Sequence, residues 1–255
     1  MKNINLTRSE LDVFETALIR YGNIITFDQL ANLFDKDRAY VRKRVSHLAK
    51  QGWLKRIKKS LYLITLNLSS RGFASTSPLV IAHLLVSESY VSFAAALQHY
   101  GLYDQLLATV SSVSLKKYRT AKIDNTSYKF VQTSVNNFFG WREVNMDGKL
   151  IKIASAEKAL LDFLQFHRTI TSTDLVLEKL SQSSAAIDLD HLIKLGLKTS
   201  LTTSRILGFL LDLANLDSVQ LKVGLKNSQG VSKLTADSTL FNNKWRLYYD
   251  NYFTQ

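Results

Sequence analysis

Basic side chains are concentrated in one stretch near the N-terminus. Ten Lys and Arg residues lie between Lys36 and Lys59, and Asp37 is the one acidic residue among them. Residues 1–65 hold 13 Lys and Arg against 6 Asp and Glu, a net of +7 out of the +12 of the whole chain. Such a cluster can neutralise phosphates and release the counterions that surround nucleic acid. The charge therefore favours a polyanionic partner, with a solvated basic surface that binds nothing as the alternative.

A predicted helix carries the densest part of this cluster. Asp37 is its expected N-cap, and Gly52 is its expected end. Apolar residues recur along it at helical spacing and form one stripe, made of Val41, Val45, Leu48 and Ala49. The cations occupy the rest of the cylinder, so the helix should bury its valines and present its charges to solvent.

Local signals place further elements on either side of this helix. Two capping boxes, which start at Thr7 and Thr26, predict two helices before it, with a short extended piece between them. Two strands, residues 53–57 and 61–64, follow it and predict a basic hairpin. This order of elements predicts a winged helix-turn-helix over residues 1–65.

The predicted motif assigns two kinds of DNA contact. The major groove, about 12 Å wide, admits an α-helix, and the N-terminal half of the recognition helix reaches base edges. The residues that we assign to the base-facing side are Arg38, Tyr40, Arg42, Lys43 and His47. Cations on the wing and on the helix flank would instead contact phosphates. The residues that we assign to phosphates are Arg44, Lys55, Arg56, Lys58 and Lys59.

The remainder of the chain predicts a second domain, so that the whole protein is of the α+β class. Residues 66–77 are rich in Ser, Thr and Asn and favour a linker. Residues 78–255 predict an α+β arrangement up to about residue 168 and mainly helices after it. Within this part, residues 108–115 and 127–133 predict a pair of antiparallel strands, and residues 242–249 predict a final strand.

The sequence contains no recognisable catalytic motif. There is no glycine-rich phosphate loop, no nucleophile elbow and no cysteine, and the five histidines lack metal-ligand spacing. Glu157 follows the N-cap of a predicted helix, where an acidic residue favours the helix dipole. A second basic patch surrounds Tyr118 and predicts either a solvated loop or a second contact with nucleic acid or an acidic partner. We therefore predict a protein that is not an enzyme and has no cofactor and no metal site.

The chain shows no sign of membrane insertion or export. No apolar run approaches the roughly 18–20 residues that a membrane span needs, and the start has no apolar signal region. The absence of cysteine suits a reducing compartment. We expect a cytoplasmic protein without a membrane partner.

Several segments resemble the AbiEi-type antitoxins of type IV toxin–antitoxin systems. Residues 38–48 resemble the arginine-rich recognition helix of that family, and residues 52–56 with Leu61-Tyr62 resemble its wing. Residues 89–102 look like the start of its antitoxin domain, and residues 154–162 are similar to a motif late in that domain. Ala156 departs from the motif, in which proline is expected, although the capping chemistry of the motif is retained.

The resemblance implies a function that composition does not show. It implies a transcriptional repressor that binds inverted repeats in its own promoter, and an antitoxin domain in residues 78–255. It also implies a functional partner, a nucleotidyltransferase-like toxin of an abortive-infection (phage defence) system, which is counteracted without a stable complex.

The residues by themselves also allow other functions. The chain could be a winged-helix regulator unrelated to toxin control, or an enzyme targeted to nucleic acid with its catalytic domain in residues 78–255. It could also be an interaction module whose basic face meets an acidic protein. Binding that survives high salt would favour this last function, because contacts dominated by phosphate would weaken.

Overall fold

The structure is a computed structural model that describes residues 6–67, 72–73, 76–182 and 186–254. Its contacts divide the chain into two compact units, Met1–Ser77 and Pro78–Gln255. Helices and several sheets occur together, which confirms the predicted α+β class. Of the predicted linker, residues 68–71 and 74–75 lie outside the described residues.

The first unit combines three helices with a small antiparallel sheet. Its elements are α1 (Arg8–Tyr21), β1 (Ile24–Thr26), α2 (Phe27–Phe34), α3 (Arg38–Gln51), β2 (Leu54–Lys58) and β3 (Leu61–Ile64). The strands are arranged in the order β1-β3-β2, with β3 antiparallel to both neighbours. Two short strands, β4 (Leu66–Asn67) and β5 (Gly72–Phe73), form a separate antiparallel pair.

Local sequence signals fix the helix starts of this unit. The capping boxes at Thr7 and Thr26 are both formed, and each threonine side chain accepts from the backbone amide three residues later. One carboxylate oxygen of Asp37 accepts from the amides of Ala39 and Tyr40, at 2.9 Å each. The apolar faces of the three helices meet the sheet in one core, whose fully buried members include Phe14, Ala17, Ile25, Leu30, Val41, Leu48 and Ile64.

A six-stranded mixed sheet dominates the first part of the second unit. Its strands are β6 (Ser89–Val91), β7 (Thr109–Ser114), β8 (Ala121–Ile123), β9 (Thr126–Gln132), β10 (Trp141–Met146) and β11 (Lys149–Ala154), in the spatial order β10-β11-β6-β7-β9-β8. Helices α4 (Pro78–Leu85) and α5 (Phe93–His99) flank β6 in sequence, and a 3-10 turn covers Val135–Asn137.

The predicted antiparallel pairing of residues 108–115 with 127–133 is wrong. Strands β7 and β9 are parallel, with Thr109 opposite Ser127. The short strand β8 lies between them in sequence and pairs antiparallel with β9 at the sheet edge. Because the chain therefore reverses twice between β7 and β9, the two strands point the same way.

The rest of the second unit is mainly helical. It contains α6 (Ala156–Phe166), α7 (Ile170–Gln182), α8 (Leu189–Gly196), α9 (Leu201–Leu213) and α10 (Val219–Gly224). Helix α6 packs against α5, α7, α8 and α9, and its residues from Ala156 to Leu164 are all buried. The central position of α6 explains why even Lys158 and Asp162 on this helix are inaccessible.

A small three-stranded sheet follows the helices. It consists of β12 (Ser232–Lys233), β13 (Leu240–Asn242) and β14 (Leu247–Tyr249), in the order β12-β14-β13, and a 3-10 helix covers Asn251–Thr254. The single strand predicted over residues 242–249 is wrong, because a turn separates β13 from β14. Arg246 ends that turn with φ +52°, a left-handed conformation that interrupts an extended chain.

Candidate nucleic-acid interface

Helix α3 exposes the side that lies opposite its buried stripe. The stripe, Val41, Val45 and Leu48, packs into the core of the first unit. Because an α-helix turns once every 3.6 residues, the opposite side is formed by Ala39, Lys43, Ser46 and Lys50, all of which are exposed. Lys43 is thus the predicted base-facing residue at the centre of the exposed side. Ser46 and Lys50 share that side and were not predicted, although the same helical spacing could have identified them.

A cleft lies between α3 and the wing. It has a volume of about 480 Å³, and its lining residues are Phe27, Arg38, Arg42, Val45, Ser46, Ala49, Arg56, Lys59, Ser60 and Tyr62. Two predicted base-contacting residues, Arg38 and Arg42, therefore line the same cleft as two predicted phosphate-contacting residues, Arg56 and Lys59. Contributions from β2, β3 and their turn could not be placed here from sequence, because they depend on the position of the hairpin.

The wing is attached to the start of α2 by a backbone hydrogen bond. The amide of Phe27 donates to the carbonyl of Ser60 at 2.9 Å, and Ser60 adopts φ +59° at the turn. Lys58 and Lys59 precede Ser60 and are exposed, whereas Lys55 on β2 is half-buried. This hydrogen bond connects the wing turn, which follows the two exposed lysines, to the first residue of α2.

Arg38 is held loosely on the α2 side of the cleft. Its Nη2 lies 2.7 Å from Oδ1 of Asp28, and both side chains are exposed. The guanidinium also lies over the ring of Phe27, 5.3 Å from the ring centroid. An exposed ion pair contributes little to stability, so Arg38 can exchange this partner for an anion.

Arg44 differs from the other predicted contacts because it is bound to Glu10 of α1. Its Nε donates to the Glu10 carboxylate, and this carboxylate is 3% exposed whereas the Arg44 side chain is 28% exposed. Burial alone would raise the pKa of Glu10, but hydrogen bonds from Arg44 and Thr7 outweigh it and hold the pKa below its usual range. The same bond to Glu10 raises the pKa of Arg44. The pair joins α1 to α3, a contact that the prediction of a phosphate ligand did not include.

Tyr40 and His47 lie away from the cleft. Both side chains are exposed. By helical spacing Tyr40 falls beside Arg44, on the flank opposite Arg38 and Arg42. The structure thus separates the five predicted base-facing residues into a cleft pair, a central lysine and two residues toward the other flank.

The second basic patch, around Tyr118, lies in the second unit and is exposed. Nζ of Lys116 pairs with the Glu88 carboxylate at 2.8 Å, and the Tyr118 ring packs on Phe130 with centroids 5.9 Å apart. Lys117, Arg119 and Lys122 complete the patch. These contacts hold Lys116 against the residue that precedes β6 and Tyr118 against β9.

Glu157 on α6 is buried, and its contacts are structural. Its carboxylate accepts from the amide of Asp188 at 3.2 Å and lies 3.3 Å from Nδ1 of His191. It thereby links α6 to the start of α8.

Among the described residues, no group of His, Asp and Glu is arranged to hold a metal ion. No helix among the described residues of the whole chain is long and apolar enough to cross a bilayer.

The first unit is a winged helix-turn-helix, since α1, α2 and α3 are followed by a two-stranded wing beside a cationic recognition helix. Residues 14–65 match the family model described as "Transcriptional regulator, AbiEi antitoxin". This match covers the winged-helix residues and confirms the resemblance to AbiEi antitoxins seen in that part of the sequence.

The fold as a whole also has a counterpart of known structure. The chain is similar to the RV2827C protein from Mycobacterium tuberculosis, with a TM-score of 0.70 and 12% sequence identity, over 96% of this chain and 92% of that one. At this identity the similarity concerns the fold alone. A comparison with curated protein sequences finds no match.

Proposed function

We propose that this protein is a DNA-binding transcriptional repressor and the antitoxin of a type IV toxin–antitoxin system. It binds inverted repeats in its own promoter as double-stranded DNA and represses its operon in the cytoplasm. Its second unit counteracts a nucleotidyltransferase-like toxin without forming a stable complex. The observation that carries the proposal is that the AbiEi match covers the winged helix, whose cations are exposed around one cleft.

The positions of these cations support two kinds of DNA contact, with bases and with phosphates. Lys43 lies opposite the core of its helix, where an inserted recognition helix meets base edges. Lys58 ends strand β2 and Lys59 begins the wing turn, where both can contact the phosphate backbone, and such contacts carry no sequence information. Arg38 and Arg42 lie between these two regions and can contact either the bases or the adjoining strand.

Salt dependence separates the two kinds of contact. Lys58→Ala and Lys59→Ala should each weaken binding to all sequences and reduce the slope of log affinity against log salt by about one. Lys43→Ala should instead reduce the preference for the operator over unrelated DNA, by about 1–3 kcal/mol. Gel shifts and fluorescence anisotropy on the region upstream of the gene measure both effects, and Arg20→Ala, an exposed cation on α1, serves as the matched control.

Two outcomes would contradict the DNA-binding part. The first is that no retarded band forms at low salt on the upstream region. The second is that the Arg20→Ala control weakens binding as much as the wing variants, because the effect would then be one of total charge.

The antitoxin part needs its own assay. Co-expression with a nucleotidyltransferase-like gene from the same operon should restore growth that the toxin alone prevents. The wing variants should retain this rescue, because the proposal assigns it to residues 78–255. Loss of rescue in Lys58→Ala, with the toxin expressed from an unrelated promoter, would show that the antitoxin activity needs DNA binding and would refute this assignment.

A further inference from the structure

A small recess in the second unit is surrounded by cations. It has a volume of about 60 Å³ and lies between α9, α10 and the turn that joins β13 to β14. Its lining residues are Arg205, Lys222, Leu225, Lys226, Ser228, Lys244, Trp245 and Arg246. Five of these eight are Lys or Arg and none is acidic. The recess is larger than the roughly 10–15 Å³ that one water needs, and it suits one tetrahedral group better than a base with its sugar.

Arg205 forms the buried wall of this recess. The residue is 2% exposed, and its guanidinium donates only to neutral oxygens: Ser232 Oγ at 3.2 Å, Ser228 Oγ at 3.2 Å and the Gln229 carbonyl at 3.0 Å. Among the described residues, no carboxylate pairs with it. Burial lowers the pKa of Arg205, and the nearby charge of Arg246 lowers it further. A buried cation without a counter-charge is costly, and an anion in the recess would relieve that cost.

Asp212 contacts two residues of the recess, and its carboxylate is already satisfied. Asp212 accepts from Lys244 Nζ at 2.7 Å, from Ser218 Oγ at 2.6 Å and from Trp245 Nε1 at 2.6 Å. Although burial alone would raise the pKa of Asp212, these three hydrogen bonds keep it below its usual range. Asp212 therefore neutralises Lys244 and leaves the buried charge of Arg205 without a carboxylate partner.

Arg246 reaches the recess from a strained backbone position. It ends the β13–β14 turn with φ +52°, a conformation that favours glycine. Its Nη1 makes only a long contact, 3.4 Å, with the carbonyl of Ser228.

We propose that this recess binds a single phosphate group, either inorganic phosphate or the terminal phosphate of a small phosphomonoester. The guanidinium groups of Arg205 and Arg246 donate to its oxygens from two sides, and Ser228 Oγ lies within reach of the same space. Lys222 and Lys226 add charge at the rim. A dianion placed here supplies the counter-charge that Arg205 lacks. All residues of the site belong to the second unit, Pro78–Gln255.

Phosphorus NMR and calorimetric titrations of the full chain test the proposal. Inorganic phosphate and a nucleoside 5′-monophosphate are titrated separately at constant ionic strength. We expect saturable binding that weakens at least tenfold in Arg205→Met and in Arg246→Gly. Lys122→Ala, an exposed cation on β8, should bind as the unmodified protein does. Equal affinity for the two probes identifies free phosphate as sufficient, and tighter binding of the monophosphate identifies a phosphomonoester.

The variants are chosen so that a loss of binding cannot be attributed to unfolding. Arg246→Gly places the residue that the left-handed turn prefers, so the fold should be at least as stable without ligand. Arg205→Met removes an unpaired buried charge and keeps an unbranched side chain. If either variant unfolds, the other still decides the question.

Three results would overturn the proposal. One is that neither probe binds saturably. Another is that both variants bind the probes with unchanged affinity. The third is that only an oligonucleotide without a terminal phosphate binds at the recess, since that outcome would assign the cations to a nucleic-acid backbone.

Discussion

Replacing Glu10 by Gln should loosen the junction between α1 and the recognition helix α3. The carboxylate performs two tasks: Oε2 accepts from the backbone amide and the hydroxyl of Thr7, at 2.8 and 2.9 Å, and Oε1 accepts from Nε of Arg44. Glutamine retains the first task, because a capping box accepts Glu or Gln at this position. The substitution therefore removes the negative charge that faces Arg44 and replaces the acceptor Oε1 by an NH2 group, so the hydrogen bond from Arg44 Nε is lost.

The size of the effect follows from the exposure of the two partners. A hydrogen bond to a charged group contributes about 1.5–3 kcal/mol. Glu10 is 3% exposed but Arg44 is 28% exposed, so solvent screens part of the interaction. We expect the free energy of opening this junction to fall by about 2 kcal/mol, which corresponds to about thirtyfold faster exchange of the amides that it protects.

Hydrogen exchange of the full chain, read by mass spectrometry on peptides from α1 and α3, measures this change. Glu15→Gln is the matched control, because Glu15 is an exposed acidic residue on the same helix. The difference should also depend on pH. Because the pKa of Glu10 is lowered in the folded protein, the stabilisation is complete above the ordinary pKa of glutamate. It is lost as the pH falls through the lowered pKa, so the unmodified protein and Glu10→Gln should converge in acid.

Unchanged exchange in Glu10→Gln at neutral pH would refute this reasoning. An equal acceleration in Glu15→Gln would do so as well, because the effect would then reflect the net charge of α1. A difference that persists undiminished in acid would show that the ion pair is not its source.

Two further predictions concern buried contacts in the second unit. Asp162→Asn should lower the free energy of unfolding by about 3–5 kcal/mol, because it leaves the buried Lys158 without its counter-charge. Urea unfolding should show the combined Lys158→Met and Asp162→Asn variant closer to the unmodified protein, because asparagine keeps an acceptor for Ser92 Oγ. The idea fails if the double variant is less stable than Asp162→Asn alone. Gly208→Ala should lower the free energy of unfolding by about 1–3 kcal/mol, because the added Cβ would lie 2.3 Å from the Trp245 ring. An unchanged Tm in calorimetry would contradict this prediction.

The first unit was predictable because its signals are local. Capping boxes at Thr7 and Thr26, the stripe on α3 and the hairpin between β2 and β3 each depend on residues close in sequence. Such patterns give the order of elements and the exposed side of the recognition helix. They do not give the distance between helix and wing, which is why the cleft shared by Arg42 and Lys59 emerges only in three dimensions.

The errors arise where contacts are distant in sequence. The parallel pairing of β7 and β9 depends on where the short strand β8 inserts, and no residue in β7 carries that information. In the sequence Arg44 is one cation among several, because its partner Glu10 lies 34 residues away. The capping box accounts for an acidic residue at Glu10, so nothing in the sequence indicates a second role.

The two groups of cations illustrate why net charge alone is a weak guide to function. Lys43, Lys58 and Lys59 are exposed and solvated, so they cost the fold little and can exchange water for phosphate along a surface. Arg205 is enclosed, and its hydrogen bonds to neutral oxygens leave its charge uncompensated. An exposed group of cations needs a partner only for function, whereas a buried one lowers the stability of the ligand-free fold. The charge of the first unit therefore predicts an extended polyanion, and the charge around Arg205 predicts a small anion held in a defined place.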